Sequence, residues 1–86
     1  MRVLIAEDDR RVAGILKNRL KSDHISADVC YDGQEALELS GVVHYDVIVL
    51  DIMMPKMDGL EAVRRMRERG TDTPVLFLTA RDAIED

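Results

Sequence analysis

The chain has 86 residues, a formal net charge of −5, an apolar fraction of 47% and a charged fraction of 34%. These values predict one small globular domain and exclude a nucleic-acid-binding surface on the chain itself, which would need clustered Lys and Arg. The single cysteine, Cys30, excludes an internal disulfide and a thiolate metal site. Because we find neither a signal peptide nor a membrane-spanning run, we expect a cytoplasmic protein with no membrane partner.

The chain begins with a pattern that predicts a strand, an acidic loop and a helix. Residues 3–6 are apolar and run directly into three acids, of which Asp9 is placed to cap the following helix. Apolar residues then recur at helical spacing with cations between them, at Val12, Ile15, Leu16 and Leu20. This spacing predicts the first helix.

A second strand and helix follow in the same order. Residues 27–31 predict the strand, and the Asp-Gly-Gln-Glu sequence that starts at Asp32 resembles a capping box. The helix is expected to run to about Ser40, with Gly41 at its end.

The central stretch predicts a buried strand that ends in a carboxylate. Residues 47–50 are apolar and lead into Asp51, and a methionine-rich turn with a proline comes next. Asp58 is a third cap candidate, and a helix is expected from there to Gly70. Its predicted buried stripe is Leu60, Val63 and Met66.

A fourth strand over residues 75–78 completes the pattern, and residues 79–82 look like the first turn of a fourth helix. Apolar strands that alternate with helices predict a parallel sheet covered on both faces, an α/β fold. The acids after the first strand, Asp51 after the third and Thr79 after the fourth then fall at the carboxyl edge of the sheet, where ligands bind in such folds.

Carboxylates gathered at one edge repel one another, and a hard divalent cation such as Mg²⁺ would hold them ionised. A carboxylate beside that metal could attack a phosphoryl group and form an acyl phosphate, with the hydroxyl of Thr79 as a donor to a phosphoryl oxygen. Simpler roles remain open, because acids before a helix are often only caps, Asp51 could be a turn residue, and Thr79 could be an N-cap.

Other polar or sulfur-containing residues have plainer interpretations. Cys30 is expected to be a buried small apolar residue, and His24 and His44 to be exposed in turns. The loop methionines are expected to pack, and the Arg-rich segment over residues 64–69 to form a solvated helix face.

Three segments together resemble the receiver domain of two-component response regulators: residues 4–9 (LIAEDD), 49–59 (VLDIMMPKMDG) and 78–80 (LTA). The second segment is the most specific of the three. Its residues most resemble those of regulators in which a winged-helix DNA-binding domain follows the receiver. The resemblance implies a flavodoxin-like (CheY-like) doubly wound sheet with strand order 2-1-3-4, and a phospho-accepting switch.

The resemblance also implies a role for each site residue. Asp51 would accept a phosphoryl group from the histidine of a sensor histidine kinase, and Thr79 would be the switch hydroxyl. Asp8 and Asp51 would bind Mg²⁺ directly, the backbone carbonyl of Met53 would be a further ligand, and Glu7 would act through water. Output would pass to an effector, and DNA would be bound only by an effector domain outside these residues.

Receivers have a fifth strand, which brings a lysine to the phosphoryl group, and a last helix, and the sequence ends before both. We therefore expect this polypeptide to dimerise, domain-swap or aggregate through its exposed edge strand, or to be part of a longer protein. Two other functions stay open: a Mg²⁺-dependent phosphohydrolase with an aspartyl nucleophile, and a truncated receiver that is not phosphorylated and acts only in protein association. Conventional enzyme activity is not expected of the leading candidate, which catalyses only its own phosphotransfer.

Overall fold

Four strands alternate with three helices in the structure, a computed structural model that describes residues 1–78. The strands are β1 (Arg2–Ala6), β2 (Ser26–Cys30), β3 (Val47–Leu50) and β4 (Val75–Phe77). The helices are α1 (Arg10–Ser22), α2 (Gly33–Val42) and α3 (Gly59–Glu68). The strands form one parallel sheet in the order β2-β1-β3-β4, which confirms the predicted fold and strand order.

The two faces of the sheet are covered by different helices. Alternate residues of β1 and β3, including Leu4 and Ile48, pack with Ala36 of α2 and Met66 of α3 in one apolar core. Ala13 of α1 is buried where that helix packs against β1 and β2. Residues 3–6 of β1 are buried on both faces, which explains why their sequence is continuously apolar.

All three helices begin at an aspartate, as the sequence predicts. Asp9 accepts hydrogen bonds from the backbone N–H groups of two residues in the first turn of α1, and Asp32 and Asp58 each accept one from the residue three positions on. Each cap satisfies backbone donors that have no partner within the helix, and places a negative charge at the positive end of the helix dipole. The caps therefore fix where the loops at the carboxyl edge of the sheet end.

Two predictions about helix faces and ends are wrong. Leu60 is 55% exposed, whereas Met66 is buried as predicted, together with Gly59 and Ala62, and glycine and alanine give only a weak apolar signal. Gly41 does not end α2, which runs on to Val42. In α1, Ile15 is 59% exposed, since it lies about 200° around the helix from Ala13.

Small differences in strand ends do not change the topology. The second strand begins and ends one residue earlier than predicted, so that Tyr31 follows it, and the fourth strand ends at Phe77. The expected first turn of a fourth helix, at residues 79–82, lies outside the described residues. In the described residues, the helices are too short or too polar to cross a membrane.

Candidate metal and phosphoryl site

Two neighbouring strands deliver the acidic residues to one place. β1 ends at Ala6 and is followed by Glu7, and β3 ends at its register partner Leu50 and is followed by Asp51. The Asp51 backbone N–H donates to the Ala6 carbonyl at 2.9 Å, and the Glu7 N–H donates to the Cys30 carbonyl at 3.1 Å. The sheet ladder thus continues into the acidic residues and fixes their backbones beside each other.

The side chains of Glu7, Asp8 and Asp51 form an acidic cluster. Each offers a carboxylate oxygen, and these oxygens all lie within 4.8 Å of one another. Glu7 and Asp51 are buried, at 5% and 8% exposed, whereas Asp8 is exposed. The cluster therefore opens to solvent on the side of Asp8 and is closed by the sheet on the other.

Burial has a clear electrostatic effect on Glu7. The pKa of its carboxyl group is raised from 4.5 to about 7, first by loss of water and then by the charge of Asp51 and by hydrogen bonds with Asp8 and Asp51. A hydrogen bond from the Asp9 backbone N–H to Glu7 Oε2, at 2.9 Å, works in the opposite direction. The raised pKa of Glu7 therefore reflects its burial and the closeness of the other two carboxyl groups.

The donor set of the cluster suits a hard divalent cation. Carboxylate oxygens are the ligands that Mg²⁺ prefers, and Mg²⁺ usually keeps several waters while it is held by one or two carboxylates. The exposed Asp8 leaves room for those waters, and the three carboxylate oxygens lie close enough together to share one cation. The residues therefore fit the expected metal.

The loop that follows Asp51 lies close against the start of α3. A Cβ atom at Gly59 would be 2.4 Å from the carbonyl oxygen of Asp51, so only glycine fits there, and the Gly59 N–H donates to the Ile52 carbonyl at 2.7 Å. Met53 lies two residues after Asp51 in this loop, with its side chain 67% exposed. Met57 is buried in the core and Met54 packs against it, as expected for packing methionines, whereas the same prediction is wrong for the side chain of Met53.

Of the predicted site residues, Glu7, Asp8 and Asp51 come together, Met53 lies in the adjoining loop, and Thr79 lies outside the described residues. The structure adds supporting residues that sequence reasoning missed, namely Gly33, Lys56 and Gly59. The repeated Asp-Gly pairs at residues 32–33 and 58–59 were the signal for the two glycines. His24 and His44 are exposed, as predicted, and Cys30 is buried.

Comparison with known proteins gives a consistent family. Residues 3–86 match the family model of the response regulator receiver domain. The chain is 43% identical over 86 residues to the response regulator MprA of Mycobacterium avium, and 42% identical to that of Mycobacterium bovis. The match covers 100% of this chain but only 38% and 37% of these relatives, so the chain spans little more than a third of their length.

Solved structures agree with the sequence match. The receiver domain of the Francisella response regulator 1452 has a TM-score of 0.90 at 40% identity, with 98% of this chain and 69% of that chain covered. Response regulator TrrA from Thermotoga maritima, solved in complex with Mg²⁺ and BeF, has a TM-score of 0.88 at 31% identity, with 98% and 73% covered. The chain belongs to the receiver domains of response regulators, a family of signalling domains.

Proposed function

We propose that Asp51 accepts a phosphoryl group from the phosphohistidine of a sensor histidine kinase, in the presence of Mg²⁺, and that the chain thereby acts as a signalling switch. The observation that carries the proposal is the acidic cluster, in which oxygens of Glu7, Asp8 and Asp51 lie within 4.8 Å of one another in a receiver-family chain. Magnesium is also present in the active site cleft of a related receiver, that of the Pseudomonas aeruginosa sensor histidine kinase PA1611, with a TM-score of 0.89 at 29% identity.

The transfer needs one bond to form and one to break. An Asp51 carboxylate oxygen forms a bond to phosphorus as the phosphorus–nitrogen bond of the phosphohistidine breaks, and the imidazole leaves with the electron pair. The product is an acyl phosphate on Asp51. Mg²⁺, when bound, supplies positive charge that neutralises the transferred oxygens. The burial of Asp51 by the sheet limits the directions from which a donor can approach its carboxylate.

The other site residues prepare Asp51. Asp8 and Asp51 are proposed as direct ligands of the metal, the backbone carbonyl of Met53 as a third, and Glu7 as a ligand through water. The Asp9 N–H orients the Glu7 carboxylate through the bond at 2.9 Å. Glu7 must release its proton before it can act in this way, so the raised pKa couples metal binding to pH.

The proposed output is a population shift between two states of the receiver. Thr79 is the proposed switch hydroxyl, which would donate to a phosphoryl oxygen. An attached effector domain would read the shift, and regulation of transcription is the output that we propose from the likeness to the MprA regulators. DNA would be bound only by that effector domain, because the chain carries a net charge of −5.

The test is incubation of the protein with Mg²⁺ and acetyl phosphate, followed by mass spectrometry. We expect a mass increase of one phosphoryl group that Asp51→Asn abolishes, and that Asp72→Asn, a change of an exposed acid remote in sequence from the cluster, leaves intact. Circular dichroism would establish that each variant is folded. A folded wild-type protein that forms no adduct contradicts the proposal, and repeated turnover of a phosphate ester would favour a phosphohydrolase instead.

We also propose that the 86-residue polypeptide associates with itself through β4. This strand is the last in the sheet order of the described residues, and Leu76 and Phe77 are 60% and 39% exposed. An apolar edge strand is a template for pairing with a second chain. Analytical ultracentrifugation should find a dimer or larger species that Leu76→Lys weakens, whereas a monodisperse monomer of 9.7 kDa would contradict the proposal.

A further inference from the structure

The loop between β3 and α3 contains a sharp turn centred on Lys56. The backbone of Lys56 has a φ of +68°, and the Met57 N–H donates to the Pro55 carbonyl at 2.7 Å across it. A hydrogen bond between residues two apart with a positive central φ is the rare, strained form of γ-turn. A residue other than glycine keeps such a conformation only where the surrounding structure holds it.

The amino terminus of α2 provides that hold through the backbone. A Cβ atom at Gly33 would be 2.0 Å from the Met57 carbonyl oxygen, so the loop backbone lies directly on the first residue of α2. The Met57 side chain, 8% exposed, is inserted into the core. The turn therefore packs directly against the first residue of α2, and this close contact is possible only because residue 33 is a glycine.

An ion pair connects the same two segments. Lys56 Nζ lies 3.7 Å from Asp32 Oδ2, and the side chain of Asp32 is only 11% exposed. The other oxygen of Asp32 accepts the Glu35 N–H at 2.8 Å as the cap of α2. Exposed ion pairs stabilise a protein little because both side chains lose conformational freedom, but here the acid is already fixed by its cap.

The far end of the loop leads back to the phospho-acceptor. Gly59 donates to the carbonyl of Ile52 and lies against the carbonyl of Asp51, so residues 52–58 form a closed loop that starts and ends beside the backbone of Asp51. Met53 lies within this loop. Whatever fixes the turn at Lys56 therefore limits the positions available to the segment next to Asp51.

We propose that Lys56 is a positioning residue: its ion pair with Asp32 fastens the loop after Asp51 to the amino terminus of α2 and thereby sets the geometry of the metal and phosphoryl site. The inference rests on the proposed function, because it assigns the loop a role in Mg²⁺ binding. It adds a link between α2 and the site.

The experiment compares Lys56→Gln, Asp32→Asn and the double variant with a matched control, Lys17→Gln, which removes an exposed lysine from α1. Calorimetry would give the Mg²⁺ dissociation constant, and hydrogen exchange in the metal-free protein would follow the Met57 and Gly59 amides. Both single variants should weaken Mg²⁺ binding about threefold and speed exchange of these amides by a similar factor, the size expected for a partly exposed pair. The double variant should be no worse than either single variant.

The direction of the effect separates positioning from simple charge. Removal of a cation near an acidic site would strengthen Mg²⁺ binding by charge alone, so tighter or unchanged binding in Lys56→Gln overturns the inference. Lys56→Gly, which tolerates the positive φ without strain, provides a second variant that keeps the backbone turn but loses the ion pair. It should behave like Lys56→Gln.

The outcome can be separated from that of the proposed function. If the wild-type protein forms no acyl phosphate, the proposed function fails whatever Lys56 does. If the wild-type protein binds Mg²⁺ and is phosphorylated while Lys56→Gln matches Lys17→Gln in metal affinity and amide exchange, only the positioning role is refuted.

Discussion

The two edges of the sheet treat their acidic residues in opposite ways. Near the amino edge, Asp28 accepts hydrogen bonds from the Tyr45 hydroxyl at 2.7 Å and from the Arg2 guanidinium at 3.0 Å. Asp46 accepts a hydrogen bond from the Arg2 backbone N–H at 2.8 Å. At the carboxyl edge, three carboxylates approach one another within 4.8 Å. The acids near the amino edge are each paired with hydrogen-bond donors, whereas at the carboxyl edge three carboxyl groups also lie close to one another.

This difference separates a structural use of acids from a functional one. Paired acids at the amino edge satisfy the buried hydroxyl of Tyr45 and stabilise the fold. At the carboxyl edge, burial and the neighbouring carboxyl groups raise the pKa of Glu7, and the proposed Mg²⁺ would offset the repulsion between them. Each of the following predictions changes one edge and uses the other as its reference.

The largest effect concerns pH and Glu7. Its folded pKa of about 7 lies above the ordinary 4.5, so its contribution to stability is present below pH 4.5 and is lost as pH rises through 7. In EDTA, the free energy of unfolding should fall by at most about 3 kcal/mol between pH 4.5 and 8, from the linkage of pKa to stability. Urea denaturation at several pH values measures this.

Two controls make the pH prediction specific. Glu7→Gln should flatten the profile, because the amide does not titrate. The Glu61 carboxyl, whose pKa is lowered to about 2 by hydrogen bonds with Arg64 and Arg65, loses its favourable contribution only as pH falls below 4.5, outside the window. A wild-type profile that stays level from pH 4.5 to 8 in EDTA would show that the cluster does not strain the fold.

The second prediction compares the two ends of α2. Gly33→Ala should destabilise the protein by about 2 kcal/mol, because its Cβ would overlap the Met57 carbonyl and shift backbone. Gly41→Ala, for which no atom lies within 4 Å of the new Cβ, should stabilise it by about 0.5–1 kcal/mol through helix propensity. The denaturant midpoints of both variants measure these changes in stability. Equal effects at the two positions would contradict the close contact between the loop backbone and Gly33.

The third prediction concerns metal affinity at Asp8. Asp8→Asn should weaken Mg²⁺ binding at least about tenfold, or about 1.4 kcal/mol, because a direct ligand charge is lost. Asp46→Asn, at the amino edge, should leave the dissociation constant unchanged. Calorimetric titration of both variants tests this, and an Asp8 variant with wild-type affinity would remove Asp8 from the ligand set.

The smallest effect is expected at the amino edge. Tyr45→Phe removes the hydroxyl that donates to Asp28 and should lower the free energy of unfolding by about 1 kcal/mol, the usual value of one hydrogen bond. Its Mg²⁺ affinity should match that of the wild-type protein. A loss of affinity in this variant would mean that the two edges are coupled through β1 and that the comparison between them is too simple.

Much of the fold was predictable because its signals are local. Continuous apolar strands, aspartate caps and the position of Asp51 after a buried strand were enough for the parallel α/β sheet and the acidic edge, whereas the strand order was predicted only from the resemblance to receiver domains. The orientation of helix faces was not, since Leu60 and Ile15 obey the helical period yet lie on the exposed side. Which face is buried depends on how closely backbones approach, and at Gly59 that approach is made possible by an absent side chain.

The supporting residues of the site were hidden for a similar reason. Lys56 looks in the sequence like an ordinary surface lysine in a turn, and its positive φ and its partner Asp32 depend on where α2 begins in space. A contact between segments that are separated by more than twenty residues cannot be predicted from the apolar periodicity of either segment.

The burial of Cys30 gives the protein an internal reporter of edge-strand opening. The thiol ends β2 with 1% exposure, and burial, together with the charges of Glu35 and Asp32, raises its pKa to about 12. Because only the thiolate reacts, an added thiol reagent should modify this sole cysteine at a rate that rises with the population of molecules in which the strand has separated from the sheet. Its sulfur lies 3.9 Å from the Asp32 carbonyl, so the labelling rate also reports how firmly the start of α2 is anchored.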